Sequence, residues 1–513
     1  MSPRRIAPAI LSALAVGACS FAPAPEAPVA VERMPDAWGH GDSAAYAPDS
    51  WWTAWQDPTL DRLVDTVLIA NLDLAEAVAR VEEARALAGI ATADLLPSVN
   101  ATADATRSDN PNNAGFGRQI FELLGGAGGD STAPLPDSVA PAAPPSRFQN
   151  TTYSAGATLS YELDFWGRAR NDRAAALRDL EASEADLQTA LLGVLAETIT
   201  AYFDVADLRR RVELTSEVVE VLRERARSTE TRYDRGLVGS FELYQIRQDL
   251  QVTEAGLPQL RAALQDAVGR LAVLAGRYPG EVADLVAAAR LPDRTLAPVP
   301  AALPAELLWQ RPDVRASGLR LESARLRVGA RRAELLPSLN LTGTLGLQSA
   351  EAEGLFDLSQ WFSNLTAGLT APLFQGGRLR ANVRAQEARW AAQSAAYGRV
   401  VLTAVAEVEG ALARQREEAE RFVFLSAQLD EAQASVDLQT RRFESGVAGY
   451  PDYLDAVRNR LTVQNTLAAA ARDYALARLG VHRALGGSWI DDPSFESGAP
   501  SPQPAAAGGL LLP

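Results

Sequence analysis

The stretch "AELLPSLNLTGTLG", residues 333–346, repeats almost phrase for phrase "ADLLPSVNATADAT", residues 93–106, at an offset of 240 (333 − 93). In both, apolar residues at helical spacing run up to a Leu-Leu pair, and Pro97 or Pro337 closes the run. Proline has no N–H to continue a helix, and it pushes the residue before it toward extended backbone. Beyond each proline the residues alternate with period two, the pattern of a strand with unlike faces. Leu339, Leu341, Leu345 and Leu347 alternate with Asn340, Thr342, Thr344 and Gly346. The phrase is a helix-to-strand junction, and the chain makes it twice.

A second alternating run lies downstream of each junction. Leu365, Ala367, Leu369, Ala371 and Leu373 form one, and Ala155, Ala157, Leu159, Tyr161 and Leu163 the other. Strands are expected over 97–107, 151–163, 337–347 and 364–374. Runs of about ten residues suffice for a tilted strand to cross a bilayer. One face is apolar, the other small and polar, with almost no charge.

The repetition extends outward. "RYDRGLVG" (232–239) matches "RFESGVAG" (442–449) at an offset of 210, as does "FWGR" (165–168) with "QGGR" (375–378). The change from 240 to 210 leaves about 30 extra residues in the first copy, in a Gly- and Pro-rich segment that reads as a long loop. Each copy also holds a stretch nearly free of helix breakers, 168–235 and 378–445, followed by a turn at Gly-x-x-Gly and a return stretch. If continuous, each long helix would reach about 100 Å. The organisation expected is an internal duplication: a first repeat over 37–277 with return helix 241–276 broken at Pro258, a linker over 278–310, a second repeat over 311–488 with return helix 452–484, and a disordered tail over 489–513. A single helical run is expected from Leu60 to Ala93.

Composition narrows the function. Of 513 residues 47% are hydrophobic and only 7% aromatic, which suits long helices. The net charge of −15 argues against a nucleic-acid partner. One cysteine, Cys19, excludes a disulfide framework and a cysteine zinc site. It follows Arg4, Arg5 and a short apolar run ending Val16-Gly17-Ala18, which resembles a bacterial lipoprotein signal. A signal peptide over 1–18, a diacylglyceryl and acyl modification on Cys19, and a tether over 19–36 are expected. No other cofactor and no metal site are expected, for His40 and His482 are the only histidines and neither sits in a ligand cluster. The glycines of "GGAGGD" (125–130) lack the Lys-Ser/Thr of a phosphate loop.

No apolar stretch of about 20 residues stands out beyond the leader, so any crossing is by strands. Four spanning strands cannot close, and an open edge in lipid leaves backbone groups unpaired at several kcal/mol each. The barrel must be shared between chains. Two copies would give about eight strands and a filled lumen, three about twelve and a pore, and the small polar face favours the pore.

These residues carry a family resemblance. "WWTAWQDPTLDRLV", "RPDVRASGLRLESARLRVGARRAELLPSLNLTG", "APLFQGGRLRANV" and "RRFESGVAGYPDYLDAVRNRL", in that order within residues 36 to 488, resemble TolC/OprM-type outer-membrane efflux proteins, and with the lipobox their NodT-like lipoprotein group. The resemblance implies an α+β membrane protein and a homotrimer. It implies a twelve-stranded outer-membrane β-barrel, four strands per chain, continued by a periplasmic α-helical barrel of coiled-coil hairpins. It also implies a passive exit duct for drugs or small solutes, not an enzyme, partnered by a periplasmic membrane-fusion adaptor and an inner-membrane RND-type transporter. By the same resemblance Asp455, nine residues past Gly446, and Asp452 line the periplasmic constriction, and the helix-turn tips Gly236, Gly239, Gly446, Gly449 and Tyr450 contact the adaptor. Tyr450 is equally open to packing at the mouth. TolC-like relatives latch the mouth with Tyr and Arg where this chain has Phe443 and Ala448, so its latch must differ. A protein-secretion or metal-cation duct, and a non-conducting coiled-coil scaffold lipoprotein, are the competing readings. The scaffold leaves the charge-poor strands unexplained.

Overall fold

The computed structural model describes residues 21–25, 51–111, 147–293 and 310–487. The signal segment, Cys19, the long loop and the tail lie outside the described residues. In chain order the elements are α1 (Pro58–Ala70), α2 (Leu72–Ala93), β1 (Ser98–Pro111), β2 (Arg147–Leu163), α3 (Arg168–Asp234), α4 (Ser240–Leu274), α5 (Pro279–Leu285), α6 (Pro312–Ala333), β3 (Ser338–Ser349), β4 (Trp361–Thr370), α7 (Arg378–Glu444) and α8 (Tyr450–Ala484). α3 and α7 both have 67 residues, and α4 and α8 both have 35.

Two compact units divide the chain. One comprises 1–24, 87–176 and 325–388; the other comprises 25–86, 177–324 and 389–513. The first holds a four-stranded antiparallel sheet in the order β1-β2-β3-β4. Its register gathers the apolar positions into rows. Val99 faces Leu159, Leu159 faces Gly343 and Gly343 faces Leu365. Other rows of that face run Tyr161, Leu341, Ala367 and Leu163, Leu339, Leu369. The opposite face carries Ser98, Ser160, Thr342, Thr366 and Asn100, Thr158, Thr344, Asn364. Val99, Leu345, Leu365 and Leu369 stay exposed, so none of the described residues covers the apolar face at these positions. Gly156 and Gly346 sit opposite each other, and a Cβ on either would come within 2.7 Å of the facing backbone. The first hairpin overhangs: β1 and β2 pair from Ser98–Ser160 to Pro111–Arg147, whereas β3 stops at Ser349, opposite Tyr153.

The second unit is helical. Its largest core joins Trp51, Leu60, Leu63 and Val67 to Leu195, Ile199, Tyr202 and Phe203 of α3 and to Ala267, Val268 and Leu271 of α4. Asp57 caps α1, accepting from Thr59 N at 2.9 Å, and its other oxygen accepts from the buried Tyr202 hydroxyl. Buried Arg311 donates to Asp313 and Glu407, both at 2.7 Å, and to the Ala484 carbonyl at 2.8 Å, tying α6, α7 and the end of α8. His482 stacks on Trp51 with ring centroids 4.8 Å apart and accepts from Arg478 Nε at 3.2 Å.

Several expectations need correction. The run from Leu60 to Ala93 is two helices, because Asn71 takes extended backbone, accepts from Leu74 N at 2.9 Å and donates to the Leu274 carbonyl at 2.8 Å. The break at Pro258 does not occur, and α4 is continuous through it. An interior proline costs about 3 kcal/mol, but Ile246 and Leu250 on one side, and Leu264 to Ala272 on the other, are held in separate cores. β4 spans 361–370 rather than 364–374, since Pro372 cannot donate to a ladder. β2 starts at Arg147, four residues before the expected 151. The return helices begin at Ser240 and Tyr450, and the expected linker contains α5. Finally, one window of α3 is long and apolar enough to cross a membrane by length and composition, and 61% of it is buried inside the protein, as in a core helix.

Candidate functional site

The Gly-x-x-Gly turns are two copies of one capping device. Gly236 takes φ +71 and Gly446 φ +74, left-handed backbone that suits glycine. Gly236 N donates to the Tyr233 carbonyl and Leu237 N to the Arg232 carbonyl, and Gly446 and Val447 repeat this with Phe443 and Arg442. This is the Schellman closure of a helix C-terminus. Gly239 and Gly449 then cap α4 and α8 in extended conformation.

Around the turns one cluster joins all four long helices. Val218 and Leu222 of α3, Ile246 of α4, Val436 of α7, and Tyr450, Tyr453, Leu454 and Val457 of α8 pack together. Phe443 meets Tyr450 at 6.0 Å and Tyr453 at 5.8 Å between ring centroids. The Arg225 guanidinium lies 4.9 Å from the Tyr453 ring and 5.7 Å from that of Phe443, within cation–π range. Phe443 therefore packs where a hydroxyl was implied in relatives.

The two predicted acids differ. Asp452 is a helix first-turn residue whose carboxylate accepts from Gly449 N at 3.3 Å, half of a capping box. Asp455 is 77% exposed at its side chain and lies 3.9 Å from Arg458. Tyr450 is only 4% exposed, so its expected role as an adaptor contact is withdrawn: packing holds it. The exposed large apolar side chains at the turns include Tyr233, Leu237, Phe241, Tyr244 and Val447.

The sequence reading missed an ion pair between the hairpins. Arg458 of α8 donates to Asp249 of α4, 209 residues away. Asp249 is buried, and its Oδ2 and the Tyr450 hydroxyl have no hydrogen-bond partner among the described residues. Burial pushes the Asp249 carboxyl up, the Arg458 guanidinium pulls it back, and Asp455 adds a further push upward; the net shift is up. Burial and the nearby Asp249 charge raise the Tyr450 phenol in the same way. One signal was available: Leu243, Ile246 and Asp249 follow at helical spacing, placing an acid on the apolar stripe. Among the described residues no group of His, Cys, Asp and Glu could hold a metal ion.

The aromatic cluster and the Arg458–Asp249 pair tie the two helical hairpins together near their turns. The signature of outer membrane efflux proteins matches residues 63–277 and 303–487. The chain belongs to that family. It is an outer-membrane efflux protein. It is 32% identical over 492 residues to the pyoverdine export outer membrane protein OpmQ of Pseudomonas aeruginosa, covering 94% of this chain and 97% of that one. Against the outer membrane protein OprJ of the same organism it is 31% identical over 504 residues, covering 95% and 96%. Among solved structures, the open state of the Neisseria gonorrhoeae MtrE outer membrane channel superposes with a TM-score of 0.74 at 26% identity, covering 92% of this chain and 98% of that one.

Proposed function

We propose that three copies of this chain form an exit duct: about twelve strands closed into a barrel across the outer membrane, continued by helical hairpins in the periplasm. The observation that carries this is the sheet itself. Among the described residues it has four strands, two unpaired edges, an apolar face and a small polar face. Lipid tolerates that arrangement only if other copies pair both edges. The family resemblance supports three copies, the equal lengths of α3 and α7 and of α4 and α8 support an internal duplication, and Cys19 carries the lipid anchor.

Asp455 and Asp452 narrow the periplasmic mouth. A ring of like charges attracts cations. Asp452 also caps its helix, so Asp455 is the stronger contributor. The Arg458–Asp249 pair, backed by Arg225 over Phe443 and Tyr453, takes the place of the Tyr and Arg latch. The turn tips face a periplasmic adaptor, through which an RND-type transporter delivers small solutes. Planar-bilayer conductance of the purified protein tests the reading, together with its mass in detergent. The expected result is a trimer with a small cation-selective conductance. A monomer without conductance would overturn it.

A further inference from the structure

The two strand-to-helix junctions read "YELDFWGRAR" (161–170) and "APLFQGGRLR" (371–380), at an offset of 210. Both keep their arginines: Arg168 and Arg170 match Arg378 and Arg380. The acids are not kept, for Pro372 stands opposite Glu162 and Phe374 opposite Asp164. In the first copy the acids neutralise the arginines. Arg168 donates to the two Glu162 oxygens at 3.1 and 2.9 Å, and Asp164 Oδ2 accepts from Arg170 N at 2.8 Å and from its Nε at 3.4 Å.

In the second copy, among the described residues, Arg378 reaches only the Gln375 amide oxygen, at 2.5 Å. Arg380 and Arg384 are exposed one turn apart on α7, with no hydrogen bond or ion pair among the described residues. Seven and six residues before Arg380 in the chain stand Leu373, 96% exposed, and Phe374, 89% exposed, the two most exposed large apolar side chains among the described residues. Two guanidiniums short of an anion and an uncovered apolar pair, all at one strand-to-helix junction, call for one amphiphilic occupant. A free anion would leave the apolar pair in water.

The level of this patch also fits. Thr370, the last residue of β4, pairs with Ser338, the first of β3, so Leu373 lies at the end of the sheet where α6 hands over to β3. The chain just after Cys19 is docked there on α6. The Phe21 carbonyl accepts from Arg332 at 3.4 Å and the Pro23 carbonyl from Arg325 at 2.6 Å. Ala22 lies over Gly329, where a Cβ would come within 2.7 Å of its nitrogen. Followed backward toward Cys19, the segment therefore climbs α6 toward the sheet. Arg332 also holds Glu387 of α7 at 2.7 Å, which sets α7 beside α6 at this height.

We propose that the second junction binds an anionic glycerophospholipid of the membrane leaflet on the helical side of the sheet. Arg380 and Arg384 take its phosphate, and its acyl chains lie on Leu373 and Phe374. This rests on the barrel reading above.

The test is native mass spectrometry of the full-length protein in detergent with phosphatidylglycerol added, and phosphatidylcholine as comparison. Wild type should retain phosphatidylglycerol preferentially, and Arg380→Gln/Arg384→Gln should bind it on the order of tenfold more weakly. Phe374→Asp, which restores the acid of the first copy, should weaken retention likewise while both arginines remain. Equal retention by wild type and both variants would overturn the proposal. So would displacement of the lipid by millimolar inorganic phosphate, which would indicate a free-anion site. Loss of the trimer in both variants would also overturn it, assigning the patch to a neighbouring copy. A wild type that neither trimerises nor conducts would instead fail the barrel reading, and that result is separable from these.

Discussion

Replacing Arg458 with alanine should loosen the mouth more than replacing its partner. Asp249 is buried, with its side chain 10% exposed, whereas that of Arg458 is 51% exposed. Truncating the partner of a fully buried ion costs about 3–5 kcal/mol, and exposed pairs are worth about 0–1 kcal/mol. A pair with one buried end falls between, near 2 kcal/mol for Arg458→Ala. That variant strands a buried carboxylate close to Tyr450 and Asp455. Asp249→Asn removes the charge instead and leaves Arg458 with water and Asp455, so its cost should stay below about 1 kcal/mol. Single-channel recording measures both as the equilibrium between closed and open levels. Arg458→Ala should raise the open-to-closed ratio by roughly tenfold or more, since about 1.4 kcal/mol is a factor of ten. Adding Asp249→Asn to it should recover most of the closed state. Equal effects of the two single changes, or strict additivity in the double, would refute the latch.

Asp455→Ala should raise conductance and reduce cation selectivity, and Asp452→Ala should do so less while losing about 1 kcal/mol of stability with its cap contact; reversal potentials in a salt gradient read the first, thermal melts the second. Gly446→Ala, forced into left-handed backbone, should cost about 1–2 kcal/mol, whereas Gly449→Ala at φ −76 should cost less, as circular-dichroism melts would register. Burial, and then the Arg478 charge, push His482 down from 6.5 to about 3. Because the folded value is the lower one, the unfolded chain binds the proton first, so stability is intact above pH 6.5 and falls between there and pH 3. By pH 5 the loss is about 2 kcal/mol, and His482→Gln should remove that part of the acid sensitivity.

The strands were legible because alternation of Leu with Asn, Thr and Gly between 339 and 347 is a local pattern. The register then set those leucines on one face without exception. The turns were legible because a left-handed cap nearly demands glycine. Asn71 was hidden, since its effect depends on a carbonyl at Leu274, 203 residues away. Pro258 misled, because a local cost was outweighed by cores on either side. Asp249 and Arg458 were hidden for the same reason as Asn71: one sequence carries no sign of which distant partner a side chain meets. Arg225 was likewise invisible until Phe443 and Tyr453 were placed beneath it.

The overhang of the first hairpin gives the chain a mast. Past the Tyr153–Ser349 pair, β1 and β2 run on for six further pairs, Thr106–Thr152 to Pro111–Arg147, with no third strand beside them on β2 among the described residues. At about 3.4 Å per residue that is a rise of roughly 20 Å. A peptide tag or fluorophore spliced between Pro111 and Arg147 therefore sets out well clear of the β2–β3 seam, from backbone already paired and held. Intact cells displaying such a tag to an antibody would report insertion and orientation in one step, with the four paired strands unaltered.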